Sequence, residues 1–560
     1  MPSPGITKKA PGEQNYLRGA LYLSIAMMIT KLIGALYKLP IQNLLTEEGG
    51  GLYAVSYQLY TILYILAIAG LPVAISKMIS ESETSRAGES RRILNVARII
   101  FFIIGAAGSL FMLLGAEKIA WLMNAPGAAW GIRAVAPSVF LVGFISPYRG
   151  FYQGKKNMIP TAVSEVLEAL GKLVFGVGAA YLALHLFIPS DNTEATQALR
   201  DSIGAAAAIS GVSVGMIISA VYLKLSWKKH GVKSNGTENR GARRRGRREI
   251  ARQMLRLSLP VMLCSSALSL TNFIDLTMIR NLLVSHAGFI ESEMNRYMGA
   301  YSYAVNLFNL PVSFIAALGI SLLPAITSFK VQGDNQGIQN TVGSAMRVTC
   351  ILAMPAGVGL VALANPILSL LYHTKVATGG VAIAVPLLQI LGFAVVFACI
   401  VTVTNSMLQA LGLIWVPLVT MAIGCLCKIV CTFVLAANPE INIRGGPIGT
   451  LICYGIIAIL NLTVIAFRTR IRRLILKNLG KTLFAAVAMG AVAFGGFQFW
   501  SYFLETYLNI VNNGAISAVM AVFMAGMSYF ILLLLIGGLS KQELDLLPGG
   551  KKIALLLKIR

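Results

Sequence analysis

Charged side chains are scarce in this chain of 560 residues, and their scarcity excludes an ordinary water-soluble protein. They make up 12% of the residues, and 56% are hydrophobic. An average soluble domain is about 25% charged. Long apolar runs follow one another with short polar breaks, a pattern typical of helices that cross a bilayer. We therefore expect an all-α polytopic membrane protein.

The chain also lacks the motifs of soluble chemistry. No G-x-x-x-x-G-K-[ST] run is present to hold nucleotide phosphates, and only four histidines occur. All seven cysteines fall inside apolar runs, where buried thiols are expected rather than disulfides or zinc ligands. We expect no enzyme, no metal and no cofactor. Transport would then be driven by a gradient of a monovalent coupling ion, by the membrane potential or by the cargo itself.

Fourteen apolar segments are long enough to span a bilayer, which takes about 20 helical residues. Their predicted positions are 17–39, 52–76, 93–115, 130–152, 158–188, 203–227, 255–284, 298–328, 341–372, 380–408, 412–437, 446–468, 482–504 and 513–540. Most of the 47 Lys and Arg fall in segments that are cytoplasmic if both termini lie inside. The positive-inside rule then predicts cytoplasmic N- and C-termini in a bacterial cell membrane.

Two parts of the sequence repeat at a separation of about 250 residues, which indicates two similar halves. Gly51 at the start of the second span matches Gly299 at the start of the eighth, and Pro72 matches Pro324. Six spans per half is an even number, so the halves would run parallel around a central cavity, with two extra C-terminal helices. The predicted domains are an N-lobe at 1–227, a linker at 228–252, a C-lobe at 253–470 and a C-terminal part at 471–560.

The linker holds a dense basic run, ENRGARRRGRRE, at 238–249. Such runs bind nucleic acid in some proteins. Between two spans, a solvated loop attracted to anionic headgroups is the better interpretation. We expect contact with membrane lipids and none with nucleic acid.

Charges inside the spans are the main candidates for a functional site, because each costs about 2.5–3.5 kcal/mol near the bilayer centre. Lys31 and Lys38 share one face of the first span, since seven residues make two helical turns. Two cations facing a hydrated cavity indicate an anionic cargo. Lys38 could instead extend outward to the membrane surface.

The fifth span carries Glu165, Glu168 and Lys172 on one face. Lys172 is a candidate for anion binding, and the two glutamates are candidates for the cavity or for ion coupling. Glu168 and Lys172 are four residues apart, so they could instead form a purely structural pair.

Three residues of the second half complete the candidates for the cavity or coupling: Asp275 in the seventh span, Asn306 in the eighth and Lys428 in the eleventh. Asp275 could also pair with Arg280 at the membrane surface, and Asn306 could hydrogen-bond between helices. A tyrosine face on the second span is open to the same two interpretations, cavity lining or helix packing. Its members are Tyr53, Tyr57, Tyr60 and Tyr64.

Several motifs resemble one family. TKLIGALYKLPIQNLLTEEGGGLYAVSYQLYTIL followed by AGLPVAISKMISE (30–81) is similar to its first two spans. RGFYQGKKNMIPTAVSEVLEALGK (149–172) resembles its corner between spans 4 and 5, and NLPVSFIAALGISLLPAIT (309–327) resembles its span 8. The family is the polysaccharide-exporter branch of the multidrug/oligosaccharidyl-lipid/polysaccharide superfamily, which includes stage V sporulation protein B and lipid II flippases.

The resemblance implies a transporter that flips an undecaprenyl-diphosphate glycolipid from the inner to the outer leaflet by alternating access, for cell-wall, polysaccharide or spore-cortex synthesis. It also implies that the diphosphate is bound at Lys31 and Lys38, where relatives often carry arginine. Asn306 stands where some relatives have an arginine. Two alternatives remain: a drug/cation antiporter of the sister branch, which would need acidic cavity residues, and a non-transporting scaffold for envelope synthesis.

Overall fold

The computed structural model is helical throughout the part of the chain that it describes. Described are 26–68 without 27, 28, 31 and 35, then 71–85, 89–155, 157–187, 194–230, 246–259, 262, 277–282, 290–413, 415–438, 440–469, 472–508 and 514–536. Ten helices among these residues are long and apolar enough to cross a membrane. A multi-pass helical membrane protein is thereby confirmed. The count of fourteen spans and the lobe arrangement stay predictions.

By its internal contacts the chain divides into two units. The first comprises Met1–Leu45 and Leu52–Phe273, and the second comprises Thr46–Gly51 and Ile274–Arg560. The predicted domain boundaries stay predictions beside this division. Segments 36–44, 247–259 and 277–282 are also helical and carry no label below.

Six labelled helices lie wholly or mostly in the first unit. They are α1 (Glu47–Ile68), α2 (Leu71–Ser85), α3 (Ser90–Leu122), α4 (Ala129–Gly154), α5 (Ile159–Leu182) and α6 (Glu194–His230). α5 packs along α6, α3 along α4, and α4 also contacts α2 and α6. An apolar core joins α2, α3 and the end of α4, and includes Ile75, Ile93 and Phe151.

Eight labelled helices belong to the second unit. They are α7 (Glu291–Gln332), α8 (Asn335–Ala362), α9 (Ala364–Leu371), α10 (Gly380–Ala410), α11 (Trp415–Ala436), α12 (Gly445–Thr469), α13 (Arg472–Leu508) and α14 (Gly514–Leu535). α10 packs on α7, α8 and α12, and α13 joins α8 to α14. A short turn separates α7 from α8. Gly333 ends α7 with a φ of 72°. Asp334 caps the start of α8, where its side chain accepts a hydrogen bond from the Gly337 amide over 2.9 Å.

The ninth predicted span, 341–372, is split into two helices. It divides at Leu363 into α8 and α9. Pro366 stands in the first turn of α9. Proline lacks an amide donor and disfavours a helical conformation before it, so it starts a new helix more readily than it continues an old one.

The two glycines paired by the sequence repeat meet at a single helix crossing in the second unit. A Cβ on Gly51 would overlap the backbone carbonyl of Asn295, and a Cβ on Gly299 would overlap that of Glu47. Gly51 therefore faces Asn295, which is four residues before Gly299, and Gly299 faces Glu47, which is four residues before Gly51. The crossing requires glycine on both sides, which explains why both positions of the repeat carry it.

Candidate functional site

The site in the first unit is built on a close crossing of α5 and α6. A Cβ on Gly171 would lie 2.7 Å from the Gly215 Cα, and a Cβ on Gly211 would overlap Gly176. Small residues let two membrane helices approach until their backbones touch. The polar residues of α5, which include Glu165, Glu168 and Lys172, lie next to this crossing. Their positions are thus determined by two backbones in contact rather than by flexible side chains.

Tyrosines form a continuous row beside α5. The ring centroids of Tyr53 and Tyr57 are 5.7 Å apart in a stacked arrangement, and the row continues through Tyr60 to Tyr64 with spacings of 5.9 and 5.3 Å. The fully buried Tyr37 lies at its other end, 6.5 Å from Tyr53. The row packs between the helices, and cavity lining by the same face stays a prediction.

Tyr37 is anchored by α6. Its hydroxyl donates a hydrogen bond to the backbone carbonyl of Ala208 over 2.8 Å. A Cβ on Gly176 would lie 2.7 Å from the Tyr37 ring, so the α5 glycine also makes room for this side chain. The ring that faces Lys172 is therefore held from two helices.

Lys38 and Lys172 come together at Tyr57. The Lys172 Nζ lies 4.4 Å from the centre of the Tyr57 ring and 4.8 Å from that of Tyr37, and it donates a hydrogen bond to the Tyr57 hydroxyl over 3.1 Å. The Lys38 Nζ lies 5.3 Å from the same Tyr57 ring. Both lysines are half-buried. Two predicted anion-binding residues, 134 positions apart in sequence, thus share one aromatic ring.

Glu168 is neutralised by Arg149 of α4. The Arg149 Nη2 lies 2.8 Å from the Glu168 Oε2, and the same arginine donates to the hydroxyls of Ser164 and Ser219 over 3.0 and 3.2 Å. The Tyr64 hydroxyl donates to the other carboxylate oxygen over 3.4 Å. Arg149 is 4% exposed. This network holds α4, α5 and α6 together and leaves Lys172 beside aromatic groups.

Sequence reasoning missed Arg149. It stands in the run RGFYQGKK, where a cation is easily counted as one of several at the cytoplasmic end of a span. Glu168 lies on the next helix, α5. In the sequence its nearest candidate partner is Lys172, four residues further along α5. The signal available was Glu168 itself, because a carboxylate inside a span requires a partner.

The remaining predicted residues are placed separately. Lys31 and Asp275 lie outside the described residues. Glu165 is half-buried on α5, close enough to Arg149 for an electrostatic interaction. Arg280, the alternative partner of Asp275, is fully buried and donates to the Asn295 Oδ1 over 2.5 Å.

Two predicted residues lie in the second unit. Asn306 on α7 is half-buried and approaches the hydroxyl of Tyr372, whose ring stacks on Tyr303 at 4.6 Å. Lys428 on α11 is 3% exposed and packs against Gly449 of α12. The surroundings of both residues lie within the second unit.

The second unit has a buried amide network centred on Asn461. The fully buried Asn461 of α12 donates to the Thr404 hydroxyl over 3.1 Å and to the Asn405 Oδ1 over 2.8 Å, and it accepts from the Thr420 hydroxyl over 2.8 Å. These bonds join α10, α11 and α12. Because every polar atom of the Asn461 amide is bonded within the protein, the network is a structural connection.

Two family models match the sequence. The model of the polysaccharide biosynthesis proteins matches residues 16–330, and that of the MatE family matches residues 266–434.

Three relatives come from Bacillus subtilis (strain 168). The uncharacterized membrane protein YabM is 26% identical over 550 residues, which cover 97% of both chains. Stage V sporulation protein B is 24% identical over 544 residues, which cover 96% of this chain and 98% of that protein. Lipid II flippase MurJ is 25% identical over 371 residues, which cover 64% of this chain and 66% of that protein.

Two solved structures share the fold at low identity. Lipid II flippase MurJ in an inward closed conformation aligns with a TM-score of 0.65 and 15% identity, covering 92% of this chain and 98% of that one. An inward-facing multidrug resistance transporter of the MATE family aligns with a TM-score of 0.61 and 17% identity, covering 81% and 98%.

Proposed function

This chain belongs to the polysaccharide biosynthesis protein family, and from that membership and the geometry of the first unit we propose that it flips an undecaprenyl-diphosphate-linked glycan across a bacterial cell membrane. Movement runs from the inner to the outer leaflet by alternating access, and no covalent step is involved. The relatives support the class of cargo, since one is a lipid II flippase. The glycan is that of lipid II, of another polysaccharide precursor or of a spore-cortex precursor.

One observation carries the proposal: Lys38 and Lys172 both direct their ammonium groups to the Tyr57 ring. An anion bound beside this ring would interact favourably with both positive charges. The Glu168 carboxylate is neutralised by Arg149, so it does not neutralise Lys172. The site is suited to a ligand with two adjacent negative groups, as a diphosphate has.

The physical need for such a site is the cost of moving a diphosphate through hydrocarbon. An uncompensated charge in an apolar medium costs tens of kcal/mol by simple solvation arguments. Fixed ammonium groups in a hydrated cleft supply compensating charge while the polyprenyl tail stays in the lipid. Lysine binds phosphate as a point charge, whereas arginine binds it as a planar fork, so we expect these lysines to bind the diphosphate with less geometric specificity than arginines would.

The other predicted residues enter the proposal as follows. Lys31 extends the cationic face of the first span, and Glu165, Glu168, Asp275, Asn306 and Lys428 are candidates, each within its own unit, for cavity lining or for coupling to a monovalent ion. The N- and C-termini lie in the cytoplasm. Lys31 and Asp275 lie outside the described residues, so their proposed roles are supported by the sequence alone.

A leaflet-exchange assay tests the proposal. Proteoliposomes contain the protein and an undecaprenyl-diphosphate glycolipid with a fluorophore that dithionite destroys from outside. With the native chain nearly all fluorescence should be lost, because lipid from the inner leaflet reaches the outside. With Lys172→Ala the inner-leaflet fluorescence should persist, as in protein-free vesicles. Lys118→Ala removes an exposed lysine of α3 and should behave as native. Persistent fluorescence with the native chain would contradict the proposal.

The antiporter alternative is supported by the MatE model match and by the MATE-like fold. It predicts counter-transport of an organic cation against protons or sodium. Uptake of ethidium into proteoliposomes with an imposed ion gradient, lost in Glu168→Gln and retained in Lys172→Ala, would favour it. A scaffold would show neither activity and would not change when Lys172 is replaced.

A further inference from the structure

Arg98, near the beginning of α3, lies against two aromatic rings outside the site described above. Its guanidinium carbon is 4.7 Å from the centre of the Tyr148 ring and 5.2 Å from that of the Trp227 ring. Tyr148 comes from α4 and Trp227 from α6. Three helices therefore contribute to the position of one cation.

The rings are held firmly. Tyr148 and Trp227 meet edge to face with centroids 5.7 Å apart, and Phe151 meets Trp227 in the same way at 5.0 Å. Phe151 is 2% exposed and belongs to the apolar core of the first unit, against which Trp227 packs. The arginine is thus preorganised by a rigid aromatic cluster.

Among the residues that the structure describes, the Nε of Arg98 has no hydrogen-bond acceptor. This Nε is buried, and no carboxylate among the described residues forms an ion pair with Arg98. Aromatic rings contact the faces of a guanidinium, but its five N–H donors point outward in the plane. A buried donor of a charged group costs stability unless an acceptor approaches. Phosphate oxygens match this planar fork.

The surroundings have the character of a membrane surface. Basic residues cluster at the same helix ends, with Arg91 and Arg92 at the start of α3 and Lys228 and Lys229 at the end of α6. Apolar side chains that face outward follow Arg98 directly along α3, and Phe102 is 58% exposed. A lipid whose headgroup is at Arg98 could place its acyl chain along this surface.

We propose that Arg98, Tyr148 and Trp227 bind the phosphate of an anionic membrane lipid at the membrane surface where α3 begins. The guanidinium edge receives the phosphate oxygens, while the two rings hold the guanidinium plane. The ligand is a resident phospholipid, and the site is separate from the lysines at Tyr57. A polyprenyl phosphate offers the same chemistry, so the test includes it.

Native mass spectrometry of the full chain, purified in detergent and titrated with phosphatidylglycerol, tests this site. The native protein should bind one lipid saturably. Arg98→Gln should weaken that binding at least tenfold, and Arg98→Lys about fivefold, because lysine keeps the charge but loses the planar fork. Arg91→Gln removes the same charge from an exposed position of the same helix and should change the affinity less than twofold.

The controls separate the remaining outcomes. Equal losses in Arg98→Gln and Arg91→Gln would show general surface attraction and overturn the proposal, as would unchanged binding in Arg98→Gln. Displacement of phosphatidylglycerol by undecaprenyl phosphate in the native chain but not in Arg98→Lys supports a site for lipid phosphates in general. Displacement only by phospholipid supports the resident lipid. If Arg98→Gln does not fold, the comparison of Arg98→Lys with Arg91→Lys decides.

Discussion

Arg149 and Glu168 form an ion pair across two helices, with 2.8 Å between the Nη2 and Oε2 atoms. This ion pair affects the partners of Lys172, which lies one turn further along α5. Lys172 would otherwise share the carboxylate, but it donates to the Tyr57 hydroxyl over 3.1 Å and lies over two tyrosine rings. The acidic residue nearest to Lys172 in sequence is thus paired with Arg149, which is consistent with the proposal that the Lys172 ammonium group binds a ligand.

Loss of the Arg149–Glu168 ion pair should destabilise the protein. Arg149→Gln leaves a carboxylate buried without its partner, and breaking one side of a buried pair costs about 3–5 kcal/mol. We expect Arg149→Gln to lower the thermal unfolding temperature strongly, measured by size exclusion after heating. The double variant Arg149→Gln, Glu168→Gln should recover much of the loss, because neither charge remains. Additive losses in the double variant would show that the two residues are not coupled.

Tyr57 gives a graded test of the lysine site. Tyr57→Phe keeps the ring beside both ammonium groups and removes the hydroxyl that accepts from Lys172. Tyr57→Leu removes the ring as well, and a cation–π contact is worth about 0.5–2 kcal/mol. We expect glycolipid affinity to fall in the order native, Phe, Leu, with about a tenfold loss for leucine.

The measurement for this series is lipid binding by native mass spectrometry, with unfolding temperature as a check on structure. A Tyr57→Leu protein that remains folded and binds the glycolipid as tightly as the native chain would show that the ring does not position the lysines.

The α5–α6 crossing offers a stability prediction with a matched control. A Cβ on Gly211 would overlap the Gly176 backbone, so Gly211→Ala must separate the two helices. Overpacking of this kind costs about 1–3 kcal/mol. Gly178→Ala, on α5, places its Cβ where no atom lies within 4 Å. Thermal unfolding should therefore be lowered by Gly211→Ala and unchanged or slightly raised by Gly178→Ala. Equal effects would mean that the crossing is not close in solution.

The sequence predicted the helices well because membrane helices are long and apolar. α10, predicted at 380–408, spans Gly380–Ala410, and α11, predicted at 412–437, spans Trp415–Ala436. The structure differs from the ninth predicted span, because Pro366 restarts the helix there as α9. Hydropathy does not change at such a restart, so only the backbone chemistry of proline reveals it.

The site was predicted in part. The choice of Lys38 and Lys172 came from charge inside apolar runs, and the structure brings both to one ring, although nothing yet tests their role. The pairing of Glu168 could not be predicted, because it depends on which helix lies beside α5. A partner four residues away on the same helix is visible in sequence, whereas Arg149 becomes visible only when α4 and α5 are packed.

The most direct test of the central claim measures how the native chain discriminates among undecaprenol, undecaprenyl phosphate and undecaprenyl diphosphate in native mass spectra. If Lys38 and Lys172 bind the diphosphate, affinity should increase in that order. The order should collapse in the double variant Lys38→Ala, Lys172→Ala and persist in the control Lys118→Ala. A double variant that still prefers the diphosphate by the native factor would contradict the account.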